Sequence, residues 1–342
     1  MGNYDKVKDI LFSLCSVNAV SGDEAGMLDL CKSLLPDSAE VTSDINGNII
    51  AVVGDKNADE TLLLDAHLDQ IGMRVTDING GFLRAAKCGG LDSRVLQGSA
   101  VTVHGKRAIP AVISSTPPHL SDGNEGKACG IEKLWIDTGL DELETLVSCG
   151  DAVTLSAEPK TLLNNRVSAV GTDNRAGVTA LIRAAHMIEK IKANRKIILL
   201  FSSREEVNAL GARTAAFSID AQECISVDVS FARQPEGGYA TPGVLGEGPM
   251  LCLSSTLDKE LTMGIKALAE REEIRLQTEV CAGATGTNAD HISVTKGGIR
   301  TALLSIPQAN MHTQAEIVDL SDIENLARLL AAYALRGGNG DV

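Results

Sequence analysis

An apolar strand-like run that breaks abruptly into polar residues constrains the fold of this 342-residue chain more than any other stretch. The run includes three consecutive leucines at 62–64, and His67-Leu68-Asp69 follows two residues later. Residues two apart in a strand project to the same side, so the histidine and the aspartate leave the strand end together. Open α/β sheets bind their ligands at this edge. The stretch predicts either a metal-binding histidine supported by a carboxylate or a polar strand end that caps a loop.

Net charge, aromatic content and cysteine spacing exclude several classes of partner. The formal net charge is −14 at pH 7, and only 3% of the residues are aromatic. Nucleic-acid binding uses basic patches and aromatic stacking, so this composition argues against a nucleic-acid partner. No apolar run reaches membrane-spanning length, and residues 1–5 lack the features of a signal peptide. The eight cysteines are scattered without a Cys-x-x-Cys pair. We therefore expect a cytoplasmic protein that binds neither nucleic acid nor membranes.

The pattern of apolar residues changes twice along the chain, which is long enough for about two domains. Helical and buried-strand patterns alternate in residues 1–72 and again in residues 166–342. Between them, residues 73–165 contain short alternating stretches separated by glycine, proline and aspartate. That pattern is typical of a small all-β module. We predict an α/β fold, with a doubly wound mixed sheet flanked by helices and an inserted small β-barrel-like domain at 73–165.

Two helix starts carry capping signals. Helical spacing covers residues 23–35, with Ser21 as the predicted N-cap and Glu24 completing a capping box. A second helix is predicted over 322–335, with Ser321 as its N-cap.

Several histidines and acidic residues stand at the ends of predicted strands or in the loops that follow them. They are His67, Asp173, Glu206, Asp228 and His312, with Asp69 and Glu205 beside them. Each has a structural explanation by itself: Asp173 as a helix N-cap, and Glu205-Glu206 as an acidic pair that opens a helix. Asp228 is harder to explain in this way, because a lone carboxylate in an apolar strand is costly.

Taken together, these residues predict a metal site. If the strand ends converge, five carboxylates share one cleft, and such crowding costs several kcal/mol per charge without compensation. Two divalent cations would balance three carboxylate ligands and one bridging hydroxide. Mixed nitrogen and oxygen ligands without thiolate suit zinc, with cobalt or manganese as substitutes. Glu205 would then accept a proton from the shared water, which is the chemistry of amide hydrolysis.

Longer motifs point to a known family. They are His67-Leu68-Asp69-Gln70-Ile71-Gly72, Pro117-Pro118-His119-Leu120, Asp173-Asn174-Arg175-Ala176-Gly177, Glu205-Glu206-Val207, Ser226-Val227-Asp228-Val229, and Ile306-Pro307 through His312. In order and spacing, over nearly the whole chain, the sequence resembles the tetrahedral aminopeptidases. That family includes glutamyl and deblocking aminopeptidases, and some relatives are labelled endoglucanases.

The resemblance implies a role for each residue of the site. One metal would be held by His67, Asp173 and Asp228, and the other by Asp173, Glu206 and His312, with Asp173 bridging. Glu205 would be the general base, and Asp69 would support His67. The resemblance also implies a cis peptide bond between Asp173 and Asn174, a catalytic domain at 1–72 and 166–342, and a dimerisation domain at 73–165. Dimers would assemble into a hollow homo-dodecamer that admits short peptides.

Two positions depart from the family pattern. Asn288 stands where the family usually has aspartate in Gly-Thr-Asp-Ala, and Ala309-Asn310-Met311 replaces an Arg-Tyr-x sequence before the last histidine. Both departures lie where the substrate is expected. We therefore predict Asn288 and Asn310 as substrate-binding residues.

The function that these observations predict is a dinuclear-metal aminopeptidase, which removes N-terminal residues by means of a metal-bridged water. A metal-dependent deacylase or other amidohydrolase is the main alternative, and N-acyl amino acids would separate the two. A glycosidase would need a carboxylate pair placed across a sugar and would work without metal. A non-catalytic assembly protein would bind no metal.

Overall fold

Helices and strands alternate along the chain except in one internal stretch, residues 72–161, whose described residues form strands and short 3₁₀ turns but no α-helix. The structure, a computed structural model, describes residues 4–120, 129–191, 193–235 and 237–336. The α-helices are α1 Asp5–Cys15, α2 Met27–Leu34, α3 Thr172–Ile191, α4 Leu210–Ser218, α5 Lys259–Arg271, α6 Asn288–Ile292 and α7 Leu320–Ala334. The strands are β1 Glu40–Ser43, β2 Ile49–Gly54, β3 Thr61–His67, β4 Gly72–Asn79, β5 Phe82–Cys88, β6 Ala100–His104, β7 Ala108–Ile113, β8 Ile136–Asp137, β9 Ala152–Leu155, β10 Lys160–Thr161, β11 Arg166–Ala169, β12 Lys196–Ser202, β13 Glu223–Phe231, β14 Met250–Ser254, β15 Gln277–Cys281, β16 Arg300–Gln308 and β17 Glu316–Asp319.

The largest sheet has eight strands in the order β1-β2-β12-β3-β13-β16-β14-β15. Its central strands β12, β3, β13 and β16 are parallel to one another, whereas β2 and β14 pair with them antiparallel. Parallel neighbours end at the same edge, so the sheet collects the carboxyl ends of four strands in one place. The predicted mixed sheet is confirmed.

Both faces of this sheet are covered by helices. In β3, Leu62 and Leu64 pack into a cluster that includes residues of α1, α3 and α7. The residue between them, Leu63, packs on the other face with residues of α4 and α6. Successive side chains of a strand point to opposite faces, which explains why all of β3 is buried and reads as a continuous apolar run.

The strands between β3 and β10 form a separate closed barrel in the order β4-β5-β8-β7-β6-β9. Burial alternates along β7, where Ile109, Ala111 and Ile113 face the barrel core. The barrel begins at Gly72, five residues after His67, so it is attached directly beside the predicted site. The predicted barrel-like insertion in the fold is confirmed. No helix within the described part of the chain has both the length and the apolarity that crossing a membrane requires.

Both predicted helix caps were wrong. Asp319 caps α7 by accepting a hydrogen bond from the Ser321 amide at 2.9 Å, so Ser321 lies inside the helix. At the other helix, Ser21 donates to Asp69 instead of capping, and a 3₁₀ turn at Glu24–Gly26 precedes α2. In both places the serine hydroxyl donates to a nearby carboxylate, Asp69 for Ser21 and Asp319 for Ser321.

The junction between sheet and barrel depends on Gly72. A Cβ atom at this position would lie 2.9 Å from the main-chain oxygen of Val153 and 2.5 Å from Cγ2 of Val20. We expect Gly72→Ala to lower the free energy of unfolding by about 1–3 kcal/mol, because a main-chain atom must move to make room. Urea denaturation measures this change.

Gly264→Ala is the matched control, because its Cβ would meet nothing within 4 Å and it lies in the interior of α5. We expect this control to gain roughly 0.5–1 kcal/mol from the lower entropy of the unfolded chain. Equal stability of Gly72→Ala and the unaltered protein would contradict the close approach at the junction.

Candidate metal centre

The parallel strands bring the predicted residues to one edge of the sheet. His67 is the last residue of β3, and Asp228 lies towards the end of β13. Glu205 and Glu206 follow β12 in the next loop, and Asp173 is in the first turn of α3. His312 comes four residues after the end of β16. Elements far apart in sequence therefore supply one site, as the topology of the sheet requires.

A single carboxylate lies between the two histidines. Asp173 Oδ1 is 3.1 Å from His67 Nε2, and its Oδ2 is 3.2 Å from His312 Nε2. Asp228 Oδ1 lies 3.6 Å from His67 Nε2, and Glu206 Oε1 lies 3.4 Å from His312 Nε2.

These contacts define two overlapping groups that share Asp173. In each group, one histidine and two carboxylates place a ligand atom within 4.8 Å of the others. Both groups offer nitrogen and oxygen donors without thiolate, a donor set that zinc, cobalt and manganese accept. The residues present therefore fit divalent metal ions. The Asp173–Asn174 peptide bond is cis, as the resemblance implied.

Main-chain carbonyl groups fix both imidazole rings. His67 Nδ1 lies 3.1 Å from the carbonyl oxygen of Asp69, and His312 Nδ1 lies 3.0 Å from the carbonyl oxygen of Gly90. A carbonyl oxygen can only accept, so each Nδ1 carries a hydrogen and donates it. Each Nε2 consequently faces the carboxylates, which is the arrangement that a metal-binding histidine needs.

The carboxylate of Asp69 holds the main chain of the neighbouring loop. Its Oδ1 accepts from the Glu205 amide at 2.9 Å, and its Oδ2 accepts from the Glu206 amide at 3.2 Å and from Ser21 Oγ at 2.5 Å. It also lies 3.4 Å from His67 Nδ1. Burial opposes the charge of Asp69, but His67 and the other donors outweigh it and lower the pKa. Asp69 therefore contacts both the ring that it was predicted to support and the acidic pair.

The electrostatics of the site favour a cation. Burial raises the pKa of Glu205 to about 9; nearby His67 opposes the shift, whereas Asp228 and Glu206 add to it. Burial disfavours the charged form of His312, yet hydrogen bonds with Asp173 and Glu206 raise its pKa to about 11. Protons are held tightly because negative charge is crowded in a buried place. A bound metal ion would supply the positive charge that these protons supply in its absence.

A cavity of about 320 Å³ opens beside these residues. Besides the two histidines and their carboxylates, its wall includes apolar side chains and a second group of polar ones. The lining residues beyond the centre are Val229, Ser230, Phe231, Tyr239, Glu279, Thr285, Gly286, Thr287, Leu303, Ser305 and Met311. The centre therefore lies in the wall of a space large enough for an amino-acid side chain.

A profile of the M42 glutamyl aminopeptidase family matches residues 47–329. The chain belongs to that family. A lysyl aminopeptidase from Pyrococcus furiosus is 32% identical over 97% of this chain and 96% of its own length. The family and its relatives are aminopeptidases, so this M42 chain is a peptide hydrolase.

Solved structures agree with this assignment. A TET aminopeptidase from a marine-sediment Thaumarchaeota archaeon has a TM-score of 0.91 at 25% identity, and the match covers 98% of the M42 chain and 97% of the other. The TET1 peptidase of Pyrococcus horikoshii, described as assembling into a tetrahedron or a large octahedral shell, has a TM-score of 0.85 at 30% identity. That match covers 96% of this chain and 99% of the other. The resemblance inferred from the sequence is confirmed.

Two residues that contact the centre of the M42 chain were missed in the sequence. Buried Glu316 accepts from the amides of Asp173, at 3.3 Å, and His312, at 3.1 Å, so it holds both the shared carboxylate and the second histidine. Burial and the charge of Asp173 raise the pKa of Glu316 to about 8. Gly90 lies in the segment after β5 and supplies the carbonyl group for His312. An acidic residue four positions after the last histidine was a signal for Glu316, whereas nothing local marked Gly90.

The two predicted substrate residues lie outside the cavity lining. Asn288 is only 1% exposed, and its amide donates to Asp65 Oδ2 at 3.0 Å and Ser202 Oγ at 2.8 Å. An aspartate there would have no N–H to donate to Asp65, so the departure from the family pattern matches this network. Asn310 is exposed and its amide donates to the Ala315 carbonyl oxygen at 3.2 Å. Substrate contact by either residue stays a prediction.

The close approach of Gly90 to His312 makes a testable contact. A Cβ atom at Gly90 would lie 2.6 Å from His312 Nδ1 and 2.7 Å from Cε1. We expect Gly90→Ala to displace the ring and weaken metal binding about 10- to 100-fold, as the loss of a ligand's supporting hydrogen bond does in other sites. Competition with a chelating indicator measures the affinity.

Gly297→Ala is the control, because its Cβ would meet no atom within 4 Å. Thermal unfolding shows that both variants are folded. Unchanged metal affinity in a folded Gly90→Ala variant would contradict the close approach of Gly90 to His312.

Proposed function

We propose that this protein is a dinuclear-metal aminopeptidase that removes N-terminal residues from short peptides. The observation that carries this proposal is the carboxylate of Asp173, which lies 3.1 Å from His67 Nε2 and 3.2 Å from His312 Nε2. A carboxylate with one oxygen towards each histidine is suited to bridging two ions. The family membership supplies the reaction class, and the geometry supports the mechanism.

Each residue of the centre has a proposed task. His67, Asp173 and Asp228 would hold one ion, and Asp173, Glu206 and His312 the other. When bound, two divalent cations, zinc with cobalt or manganese as substitutes, lower the pKa of a shared water and polarise the scissile carbonyl group.

The proposed general base is Glu205. It is not in either ligand group, and its Oε2 lies 4.0 Å from His67 Nε2, at the edge of the centre. It would accept the proton of the attacking water and then donate a proton to the leaving amine. Asp69 positions this base, because it accepts a hydrogen bond from the Glu205 amide at 2.9 Å.

Glu205→Gln tests the base. The substitution keeps the shape of the side chain but removes the proton acceptor, so we expect kcat to fall about 10²- to 10⁴-fold. The assay is the release of free amino acids from peptides of two to ten residues with added zinc, cobalt or manganese.

Glu206→Gln is the matched control, because it changes the adjacent residue, a proposed ligand. We expect Glu205→Gln to retain its metal content, measured by mass spectrometry of the metals, and Glu206→Gln to lose part of it. Retained activity in Glu205→Gln would remove the proposed base. Hydrolysis of N-acyl amino acids but not of free peptides would replace the aminopeptidase with a deacylase.

We also propose that residues 73–165 form a dimerisation domain inserted into a catalytic domain of residues 1–72 and 166–342, and that dimers assemble into a dodecamer. Large side chains on the outside of the barrel support this: Phe82 and Val112 are 42% and 48% exposed. The P. horikoshii relative supports it as well, because that protein can assemble into a tetrahedron or a large octahedral shell. We expect the protein in the cytoplasm, since all eight cysteines are free thiols.

Light scattering tests the assembly. We expect a particle of twelve chains at micromolar concentration, which hydrolyses short peptides and leaves a folded protein substrate intact because the active sites face an enclosed interior. A monomer in solution, or equal cleavage of folded and short substrates, would contradict the proposed shell.

A further inference from the structure

One acidic side chain in the cavity belongs to neither ligand group. Glu279 of β15 lines the same cavity as the metal centre and is only 3% exposed. Its Oε1 accepts hydrogen bonds from Ser230 Oγ and from the Tyr239 hydroxyl, the latter at 2.7 Å, and its Oε2 accepts from Ser305 Oγ at 3.2 Å. All three partners are neutral hydroxyl groups.

The carboxylate therefore lacks a positive partner within the cavity. The lining contains no lysine or arginine among the residues that the structure describes, and its two histidines contact the central carboxylates instead. Burial and the neighbouring Glu279 raise the pKa of Tyr239, so this hydroxyl stays a neutral donor. A buried carboxylate that is oriented by hydroxyl groups but not paired with a cation is costly unless a ligand supplies the charge.

The distance between the partners of Glu279 and the metal centre indicates how long the side chain of such a ligand would be. Ser230 lies two residues after Asp228 on β13, and Ser305 is the register partner of Asp228 on β16. Two residues along a strand span about 7 Å. Ser230 is therefore about one side-chain length from a proposed metal ligand, and Ser305 lies directly across from that ligand on the neighbouring strand.

Part of the cavity wall is apolar. Val229, Leu303 and Met311 all line the cavity, as does Phe231, whose ring centroid is 4.8 Å from that of Tyr239. An apolar wall next to a buried carboxylate matches a side chain with an aliphatic stem and a charged tip. Lysine and arginine have this form, and their stems pack readily against apolar surface.

We propose that Glu279 selects substrates whose N-terminal residue is lysine or arginine, by pairing with the cation at the end of that side chain. This inference rests on the proposed function. The family description and the P. furiosus relative name different N-terminal residues, glutamyl and lysyl. Those names do not decide the specificity, which depends on the side chains that line this cavity.

The unaltered protein gives the first test. Lysine and norleucine share a four-carbon stem and differ by the ammonium group, so their aminocoumarin amides form a matched pair. We expect kcat/KM for the lysyl and arginyl substrates to exceed that for the norleucyl substrate by about 100-fold, as for a desolvated charge pair. Equal or higher kcat/KM for norleucine would overturn the proposal without any variant.

Glu279→Gln gives the second test. We expect the advantage of lysine to fall to less than about 5-fold while kcat/KM for norleucine changes little, because only the charge is removed. An equal loss for both substrates would mean that Glu279 binds the α-ammonium group shared by all peptides or supports the fold, and would overturn the selection of side chains. Glu260→Gln is the control, since this glutamate is exposed on α5.

Binding of the free amino acids separates this inference from the proposed function. We expect titration calorimetry to show tighter binding of lysine than of norleucine to the unaltered protein, and equal binding to Glu279→Gln. Failure of the metal-loaded protein to hydrolyse any peptide would contradict the proposed function, whereas turnover of norleucyl but not lysyl substrates would contradict only the role of Glu279.

Discussion

The charge of Asp173 is the constraint on which the rest of this centre depends. Its carboxylate lies between two histidines, and the acidic residues around it must tolerate its charge. In water such a cluster would separate, because like charges repel. Here four parallel strands and the start of a helix hold the residues in place, so a bound cation would relieve the repulsion.

Support for the centre comes from main-chain groups as much as from side chains. Each histidine donates to a carbonyl oxygen, and the acidic pair after β12 is held through its amides by Asp69. Main-chain groups cannot change rotamer, so the positions of Glu205 and Glu206 follow the fold closely. Glu316 extends the same arrangement to the amides of Asp173 and His312. A precise site is thus built by an ordinary α/β sheet with few dedicated residues.

The amino-acid sequence predicted the sheet, the barrel and the group of residues that meet at the strand ends. Continuous apolar runs followed by His67 and Asp228 reveal buried parallel strands, because the pattern depends on local spacing alone. Contacts that depend on tertiary approach could not be predicted, such as Gly90 against His312. At Ser21 a tertiary contact overrides a local signal, which is the opposite kind of failure. Its sequence context matches a capping box, yet in the folded chain its hydroxyl donates a hydrogen bond to Asp69 Oδ2 at 2.5 Å.

The carbonyl group of Gly90 connects the chain segment next to the barrel with His312, a proposed metal ligand. It belongs to the segment after β5, yet it is the acceptor that orients His312. A hydrogen bond of 3.0 Å is lost when its partners separate by about 1 Å more. A small displacement of the barrel, caused by any partner that binds its outer surface, would therefore change the orientation of the His312 imidazole. Association at a distance and turnover at the centre need not be independent in this molecule.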